Sequence, residues 1–346
     1  MRKVVIHGPG GREKLLVEEH PDPSPGPGEV LIDVEAAGVN FADVAVRLGL
    51  YKSAKTYVGW PITPGFEVAG RVRAVGDRAG DIEPGTPVLA ATRFGGYASV
   101  IAASHALVLR RPESMSAEDG AGLPVVGLTA YYALFELCRP RPGQRVLIHA
   151  AAGGVGGALL QLARIAGCEP IAVVGNANKV AHARRLGAAA VIDRSREDLW
   201  RAAERHAPTG YDMILDATGP ETLRHSYRHL APAGRLVVYG FASMLSRGGG
   251  GRRNPFRLLS GYLRLPRFSP LRMTAENRSV LAFNLSFLFD RTDLFQEAME
   301  QLLTWYAEGK LVLPSPATYS LRRVADAHRD IESGETTGKL VLRTDQ

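Results

Sequence analysis

A short apolar run, Val146-Leu-Ile-His-Ala150, passes into Ala151-Ala-Gly-Gly-Val-Gly156 and then into Gly157-Ala-Leu-Leu-Gln-Leu-Ala-Arg164. This order predicts a strand, a tight turn and a helix with small and aliphatic residues on one face. Small residues at such a turn let the backbone approach a pyrophosphate. The helix start adds unpaired N–H donors and a partial positive charge. The pattern is Ala-x-Gly-x-x-Gly, with Ala151 in the first position and Gly153, Gly154, Val155 and Gly156 forming the cradle. It constrains the chain to a parallel α/β sheet whose carboxyl edge carries a dinucleotide.

The surrounding rhythm agrees. Residues 1–119 are short β runs broken by Gly and Pro, such as Glu29-Val-Leu-Ile-Asp-Val-Glu-Ala-Ala and Ala69-Gly-Arg-Val-Arg-Ala-Val-Gly76, and read as a barrel-like β domain. Residues 120–310 read as an α/β, doubly wound domain with a six-stranded parallel sheet. Its expected strands are Val146–Ala150, Ile171–Gly175, Ala190–Asp193, Met213–Thr218, Leu236–Gly240 and Ser279–Phe287. An amphipathic helix is expected from Thr292 to Gly309. The tail, residues 311–346, returns to strand–helix–strand from Leu311-Val-Leu-Pro to Lys339-Leu-Val-Leu342 and completes the first domain.

The net charge of +7 has one source: residues 242–275 hold seven arginines (Arg247, Arg252, Arg253, Arg257, Arg264, Arg267, Arg272) and no Lys, Asp or Glu. Without them the 35 remaining basic residues equal the 35 acidic ones. A nucleic-acid binder shows a broader basic face tied to a reading motif, and none is visible. The bland account of this insertion, a surface segment bordering the substrate cleft, is preferred to an interfacial membrane helix. No stretch approaches the roughly 20 apolar residues of a membrane span. Two cysteines, Cys138 and Cys168, and no leader pattern lead us to expect a reducing, cytoplasmic setting.

The second strand of the doubly wound half decides which dinucleotide is expected. An NAD enzyme places a carboxylate at its end for the ribose 2′-hydroxyl. Here the strand ends in Gly175-Asn-Ala-Asn-Lys179. Asn176 and Lys179, with Arg194 after the third strand, suit a 2′-phosphate instead, so NADP(H) is preferred to NAD(H).

With these segments in place, the chain resembles the medium-chain dehydrogenase/reductase superfamily over almost its whole length. Within it, the pattern looks like the zinc-free, zeta-crystallin-like quinone oxidoreductases, closest to the subgroup of the synaptic vesicle amine transport protein homologue. Ala37-Gly-Val-Asn-Phe-Ala-Asp43, Gly49-Leu-Tyr51, Pro64-Gly-Phe-Glu-Val-Ala-Gly70, Leu128-Thr-Ala-Tyr-Tyr132, His149 to Gly156, Ser279 to Leu285 and Gly338-Lys-Leu-Val-Leu342 carry the likeness. The resemblance implies a GroES-like β-barrel catalytic domain (1–119, completed by 311–346) before a Rossmann domain (120–310). It also implies a homodimer. Zinc relatives place Cys where this chain has Asn40 and His where it has Phe66; neither replacement is a zinc ligand, so no metal is expected.

The resemblance further puts Asn40, Asp43, Tyr51 and Thr129 near nicotinamide and substrate. Asn40 could donate to a carbonyl or ribose hydroxyl, or cap the following helix. Asp43 would orient Asn40 or the local backbone. Tyr51 could bind substrate or supply a proton, or pack as a loop aromatic. Thr129 could contact nicotinamide, or bond back to a helix carbonyl. Thr218, Tyr239, Gly240, Phe241, Phe283, Asn284 and Leu285 would border the cofactor. The expected activity is NADPH-dependent hydride transfer to a quinone or other conjugated carbonyl. An enoyl or enone reductase is the alternative; a cofactor-binding, partner- or membrane-associated protein with little catalysis is the reading of another class.

Overall fold

The computed structural model describes residues 1–245 and 254–344. Arg247, Arg252 and Arg253 of the basic insertion lie outside the described residues. The glycine-led strand is Arg145–Ile148, and it sits inside a six-stranded sheet. Across the sheet the strands run Ala190–Asp193, Glu169–Val174, Arg145–Ile148, Tyr211–Asp216, Leu230–Val238, Ser279–Ala282. Every pairing is parallel, as helices between successive strands require. Both faces are covered. Val146 and Ile148 pack into one hydrophobic cluster with Leu159, Leu160 and Ala163 of the glycine-led helix Gly154–Ile165. Leu147, between them, packs into another with Ile171, Ile192, Ile214 and Leu236. That alternation is the two-residue period of a strand buried on both sides.

The barrel sheet orders its strands Ala317–Ser320, Leu340–Arg343, Glu29–Val39, Glu67–Val75, Pro87–Ala91, Val108–Arg110, with Val100–Ser104 also on Glu29–Val39. The C-terminal strand is antiparallel to Glu29–Val39, with Leu342 opposite Ala37. This ties Leu340–Arg343 to the strand that leads into Asn40.

Several expected strands stop early, each for a visible reason. Tyr211–Asp216 ends where the Asp216 carboxylate takes the amides of Thr218 (2.8 Å) and Gly219 (3.2 Å). Ser279–Phe287 was expected as one strand; it ends at Ala282, because the Asn284 side chain accepts from Ser286 N (3.1 Å) and turns Leu285–Phe287 into a short helical turn. Leu311–Pro314 is not a strand. The Gln161 side chain takes both the N–H (2.8 Å) and the carbonyl (3.0 Å) of Val312, and Pro314 and Pro316 supply no donors to a ladder. The strand of the tail lies further on, at Ala317–Ser320. The long amphipathic helix is Thr292–Ala307. No helix among the described residues is long and apolar enough to cross a membrane.

Candidate active site

The glycine turn shows why its residues are small. Gly153 caps the helix in an extended conformation, and Gly157 N is the first amide bonded within the helix, to Gly153 O at 2.8 Å. The amides of Gly154, Val155 and Gly156 therefore come before the first N–H that has an intrahelical acceptor and are open to an anion. A Cβ at Gly156 would stand 2.4 Å from Ala150 O and 2.6 Å from Ala151 Cα. Only glycine lets helix and strand meet this closely. Ala151 is fully buried beneath the turn, and Gly338 N donates to Ala152 O at 2.9 Å, bringing the C-terminal segment to the cradle.

The end of the second strand presents a compact basic corner. A Cβ at Gly175 would meet nothing within 4 Å, so the space there is open. Arg194 N bonds Val174 O at 3.2 Å, which places Arg194 beside Gly175. Lys179 donates to Gly334 O (2.6 Å) and Asn176 to Glu335 (3.3 Å). The Oδ1 of Asn176 is buried with no hydrogen-bond partner. Glu335 and Gly334 were not foreseen; they arrive from the far end of the chain.

Asn40 begins the helix Phe41–Arg47, as capping would have it, but its amide is also part of a buried polar cluster. Asn40 Nδ2 donates to Glu67 Oε1 (2.8 Å), and Lys339 Nζ donates to Asn40 Oδ1 (2.6 Å) and Glu67 Oε1 (2.5 Å). The second oxygen of Glu67 accepts from Val125 N at 2.7 Å. Glu67 and Lys339 were missed as site residues. The available signal was an acid opening the apolar strand Glu67-Val-Ala-Gly; its cation is 272 residues away. Asp43 acts on backbone, accepting from Asn40 N and Gly65 N, both at 2.8 Å. Complete burial pushes its carboxyl up to about 7.

Phe66 is buried against Tyr51 (5.6 Å between centroids) and Phe94 (5.0 Å). Tyr51 donates its phenol hydrogen to Asn284 Oδ1 at 2.8 Å, reaching from the barrel to the Rossmann side, and burial raises its pKa. Thr129 bonds back to Val125 O at 2.6 Å within the helix Pro124–Tyr131. Its oxygen can still accept.

The remaining expected residues gather at the carboxyl ends of the strands. Ser243 N bonds Thr218 O at 2.9 Å, and Tyr239 N bonds Asp216 O at 3.1 Å. Gly240 allows close approach to Ala217 O, 2.9 Å from where a Cβ would stand. Tyr239 stacks on Phe283 at 6.3 Å, Phe283 packs on Tyr132 at 4.9 Å, and Leu285 follows Asn284 into the turn. Phe241 is 47% exposed beside Gly219. Beneath them lies an unforeseen chain. His149 meets Ser226 Oγ at 3.2 Å, and that hydroxyl donates to Asp216 at 2.9 Å. Burial lowers the His149 pKa, against the pull of the Asp216 carboxylate. Cys138 is packed in the core and Cys168 donates its thiol to Arg141 O at 3.5 Å; burial raises their thiols to about 12 and about 11.

No group of three or more His, Cys, Asp or Glu that could hold a metal occurs among the described residues. At the position in question stand an amide, a phenyl ring and a carboxylate already bonded to the Lys339 ammonium.

Residues 26–137 match the alcohol dehydrogenase GroES-like domain family, and residues 186–342 match the family described as zinc-binding dehydrogenase. The synaptic vesicle membrane protein VAT-1 homolog of Danio rerio is 34% identical over 345 residues, covering 99% of this chain and 70% of the relative. Among solved structures, Escherichia coli quinone oxidoreductase complexed with NADPH superimposes with a TM-score of 0.87 at 27% identity, over 99% of this chain and 100% of the other. The CurK enoyl reductase does so with a TM-score of 0.85 at 28% identity, over 99% of each chain. The chain belongs to the medium-chain dehydrogenase/reductase superfamily, as a GroES-like barrel joined to a Rossmann domain and akin to the VAT-1 homologues and quinone oxidoreductases.

Proposed function

We propose that the protein is a zinc-independent, NADPH-dependent reductase that delivers hydride to a quinone or another conjugated carbonyl. The observation that carries this reading is the buried Asn40–Glu67–Lys339 cluster, held through Gly338 against the dinucleotide cradle. Both the quinone oxidoreductase complexed with NADPH and the enoyl reductase among its structural neighbours support it. The amides of Gly154, Val155 and Gly156 would hold the pyrophosphate, and Asn176, Lys179 and Arg194 the 2′-phosphate. Thr218, Tyr239, Gly240, Phe241, Phe283 and Leu285 would wall the cleft. When bound, NADPH supplies the hydride.

The chain's own groups handle the charge that develops on the acceptor. An asparagine amide has two hydrogens, and Glu67 takes one from Asn40. The other donates to the acceptor's carbonyl oxygen. Lys339, bonded to Asn40 Oδ1, polarises the amide and strengthens that donor. The enolate or quinol oxyanion is thus stabilised by a preorganised dipole in a site where no metal ligand set is available. Asp43 fixes Asn40 through the backbone. Tyr51 is held by Asn284 until the acceptor's oxygen competes for its proton, and water supplies the proton otherwise. The Thr129 hydroxyl accepts from the ligand.

An enoyl reductase is the second reading, favoured by the CurK likeness. A cytoplasmic homodimer is the proposed working form, checked by light scattering and fractionation. The deciding experiment measures NADPH and NADH oxidation against ortho- and para-quinones, enones and enoyl thioesters, beside cofactor binding by fluorescence. Turnover of quinones or enones with NADPH is expected. NADPH binding with no turnover of any acceptor would overturn the enzyme reading, and stoichiometric zinc in the active protein would overturn the metal-free one. Lys179→Ala should raise the NADPH Kd about ten-fold, roughly 1.4 kcal/mol, and leave NADH within about two-fold. Equal effects on both cofactors would refute the 2′-phosphate contact.

A further inference from the structure

Just after the strand Pro87–Ala91 the backbone is held in a conformation that a large side chain rarely adopts. Phe94 has φ = 108°, a costly value for an aromatic residue. The turn around it is pinned on both sides to the segment that carries Phe66. Thr92 N bonds Phe66 O at 2.8 Å, Gly95 N bonds Thr63 O at 2.9 Å, and the buried Phe94 ring packs on Phe66. Strain of this kind persists where the surroundings over-determine it, and it gathers at ligand sites. The side chain that this turn sets in place is Arg93.

Arg93 stands at the outer end of the seam between barrel and Rossmann domain. Along that seam Tyr51 meets Asn284, Ser53 accepts from Ser286 Oγ at 2.8 Å, and Tyr57 packs on Phe287 at 5.8 Å. Exposure rises outward, from the enclosed Ser53 to Tyr57 at 41% and to the Asp290 side chain at 73%. The Cζ of Arg93 lies 4.2 Å from the centroid of the Tyr57 ring, which holds one face of the cation and leaves its edges for hydrogen bonds. Nε and Nη2, the two nitrogens along one edge, are buried and have no hydrogen-bond partner. Asp290 Oδ1 comes within 2.7 Å of Nη2 without the alignment of a hydrogen bond. This is the edge through which a guanidinium grips a carboxylate with two parallel N–H bonds. Asp290 shows that a carboxylate oxygen reaches it. A side chain so exposed is a weak partner that a better-aligned carboxylate displaces.

We propose that the acceptor itself carries a carboxylate and that Arg93 selects it, Asp290 covering the edge until the acceptor arrives. The conjugated carbonyl lies at Asn40 and Tyr51. The carboxylate takes the Nε and Nη2 hydrogens of Arg93. The rings of Tyr51, Phe66 and Phe94, each packed on the next, join the two ends and offer apolar surface to the carbons between them. This names a substrate class for the reductase proposed above and rests on that reading.

The test compares a para-benzoquinone bearing a carboxypentyl chain with its methyl ester, and an enone acid with its methyl ester. Turnover is measured with NADPH, and binding by calorimetry in the dead-end complex with NADP+. In a pair that turns over, the acid should exceed the ester at least about ten-fold in kcat/KM, through KM, and should bind at least about ten-fold tighter. Arg93→Gln should bring the acid-to-ester ratios to within about two-fold of one. Asp290→Asn removes the competing carboxylate and should raise them about three-fold or more. A purely structural role would move acid and ester together, so unmoved ratios in either variant overturn the proposal. Equal handling of acid and ester by the wild-type protein, or no binding of either acid, overturns it as well. Ester turnover without preference for the acid removes this proposal and leaves the reductase reading standing. Acid-selective binding that Arg93→Gln abolishes, with no turnover of any acceptor, supports the carboxylate site and overturns the reductase reading.

Discussion

Gly156 and Lys339 show how single side chains bear on this site. At Gly156 an added Cβ would meet Ala150 O at 2.4 Å, and both neighbours are backbone that cannot swing aside. Gly156→Ala should therefore cost about 1–3 kcal/mol in urea unfolding and weaken NADPH at least ten-fold. Gly175→Ala, facing open space, should change stability by less than about 0.5 kcal/mol. Comparable losses in both variants would mean the turn is not held by that contact. Glu67 and Lys339 form a buried pair at 2.5 Å, with the Glu67 side chain fully enclosed. Lys339→Met strands that carboxylate and should cost about 3–5 kcal/mol, whereas Glu67→Gln/Lys339→Met should recover most of the loss. A double-mutant cycle measures this; additive losses would show that the two charges do not depend on each other. The cluster was half legible. Asn40 and the neighbourhood of Glu67 could be read as a segment, but no local pattern announces that a lysine just before the strand Leu340–Arg343 closes it.

At the scale of elements, the strands with a two-sided burial pattern were readable and their ends were not. Val146 to Ile148 alternate between two cores, so periodicity places them. The ends are set by side chains that compete with the ladder for backbone groups: Asp216 for Thr218 and Gly219, Asn284 for Ser286, Gln161 for Val312. Leu311-Val-Leu has the composition of a strand, yet Gln161 supplies the donor and acceptor that a neighbouring strand would have supplied. Gln161→Leu should leave both groups of Val312 unpaired, costing about 1–3 kcal/mol. Hydrogen exchange should speed at Val312 N–H by about ten-fold or more while the amides of Glu169–Val174 keep their protection. Unchanged exchange at Val312 would show that another partner satisfies it. Two of these competing side chains also explain the site: Asp216 and Asn284 each follow a ladder that ends early and shape a loop at the carboxyl edge of the parallel sheet, where a ligand can be met.

Across the whole molecule, the tail returns to the first domain and buries opposed titrating groups at the join. The helix Val324–Ser333 packs on Phe41–Arg47, where Glu332 pairs with the enclosed Arg47 and with Arg12 at 2.8 Å. Tyr97 lies between His328, whose Nε2 is 3.4 Å from the phenol oxygen, and Asp43. Burial, aided by Arg47 and Arg12, lowers His328 from 6.5 to about 3, and burial raises Asp43 from 3.8 to about 7. Below pH 6.5 the unfolded chain protonates His328 and the folded chain does not, so this histidine removes stability as pH falls toward 3. Asp43 works the other way. Its unfolded form loses a proton near pH 3.8 while its folded form keeps one until about 7, so stability is complete below 3.8 and is lost as pH rises to 7. Between pH 4 and 6.5 the two slopes, each of order 1 kcal/mol per pH unit, oppose and flatten the profile. His328→Gln should unmask a fall in stability with rising pH, and Asp43→Asn a rise over the same interval, each beneath its own constant offset. Urea midpoints across that interval decide the matter. Parallel profiles for the wild type and both variants would show that neither buried group carries the linkage.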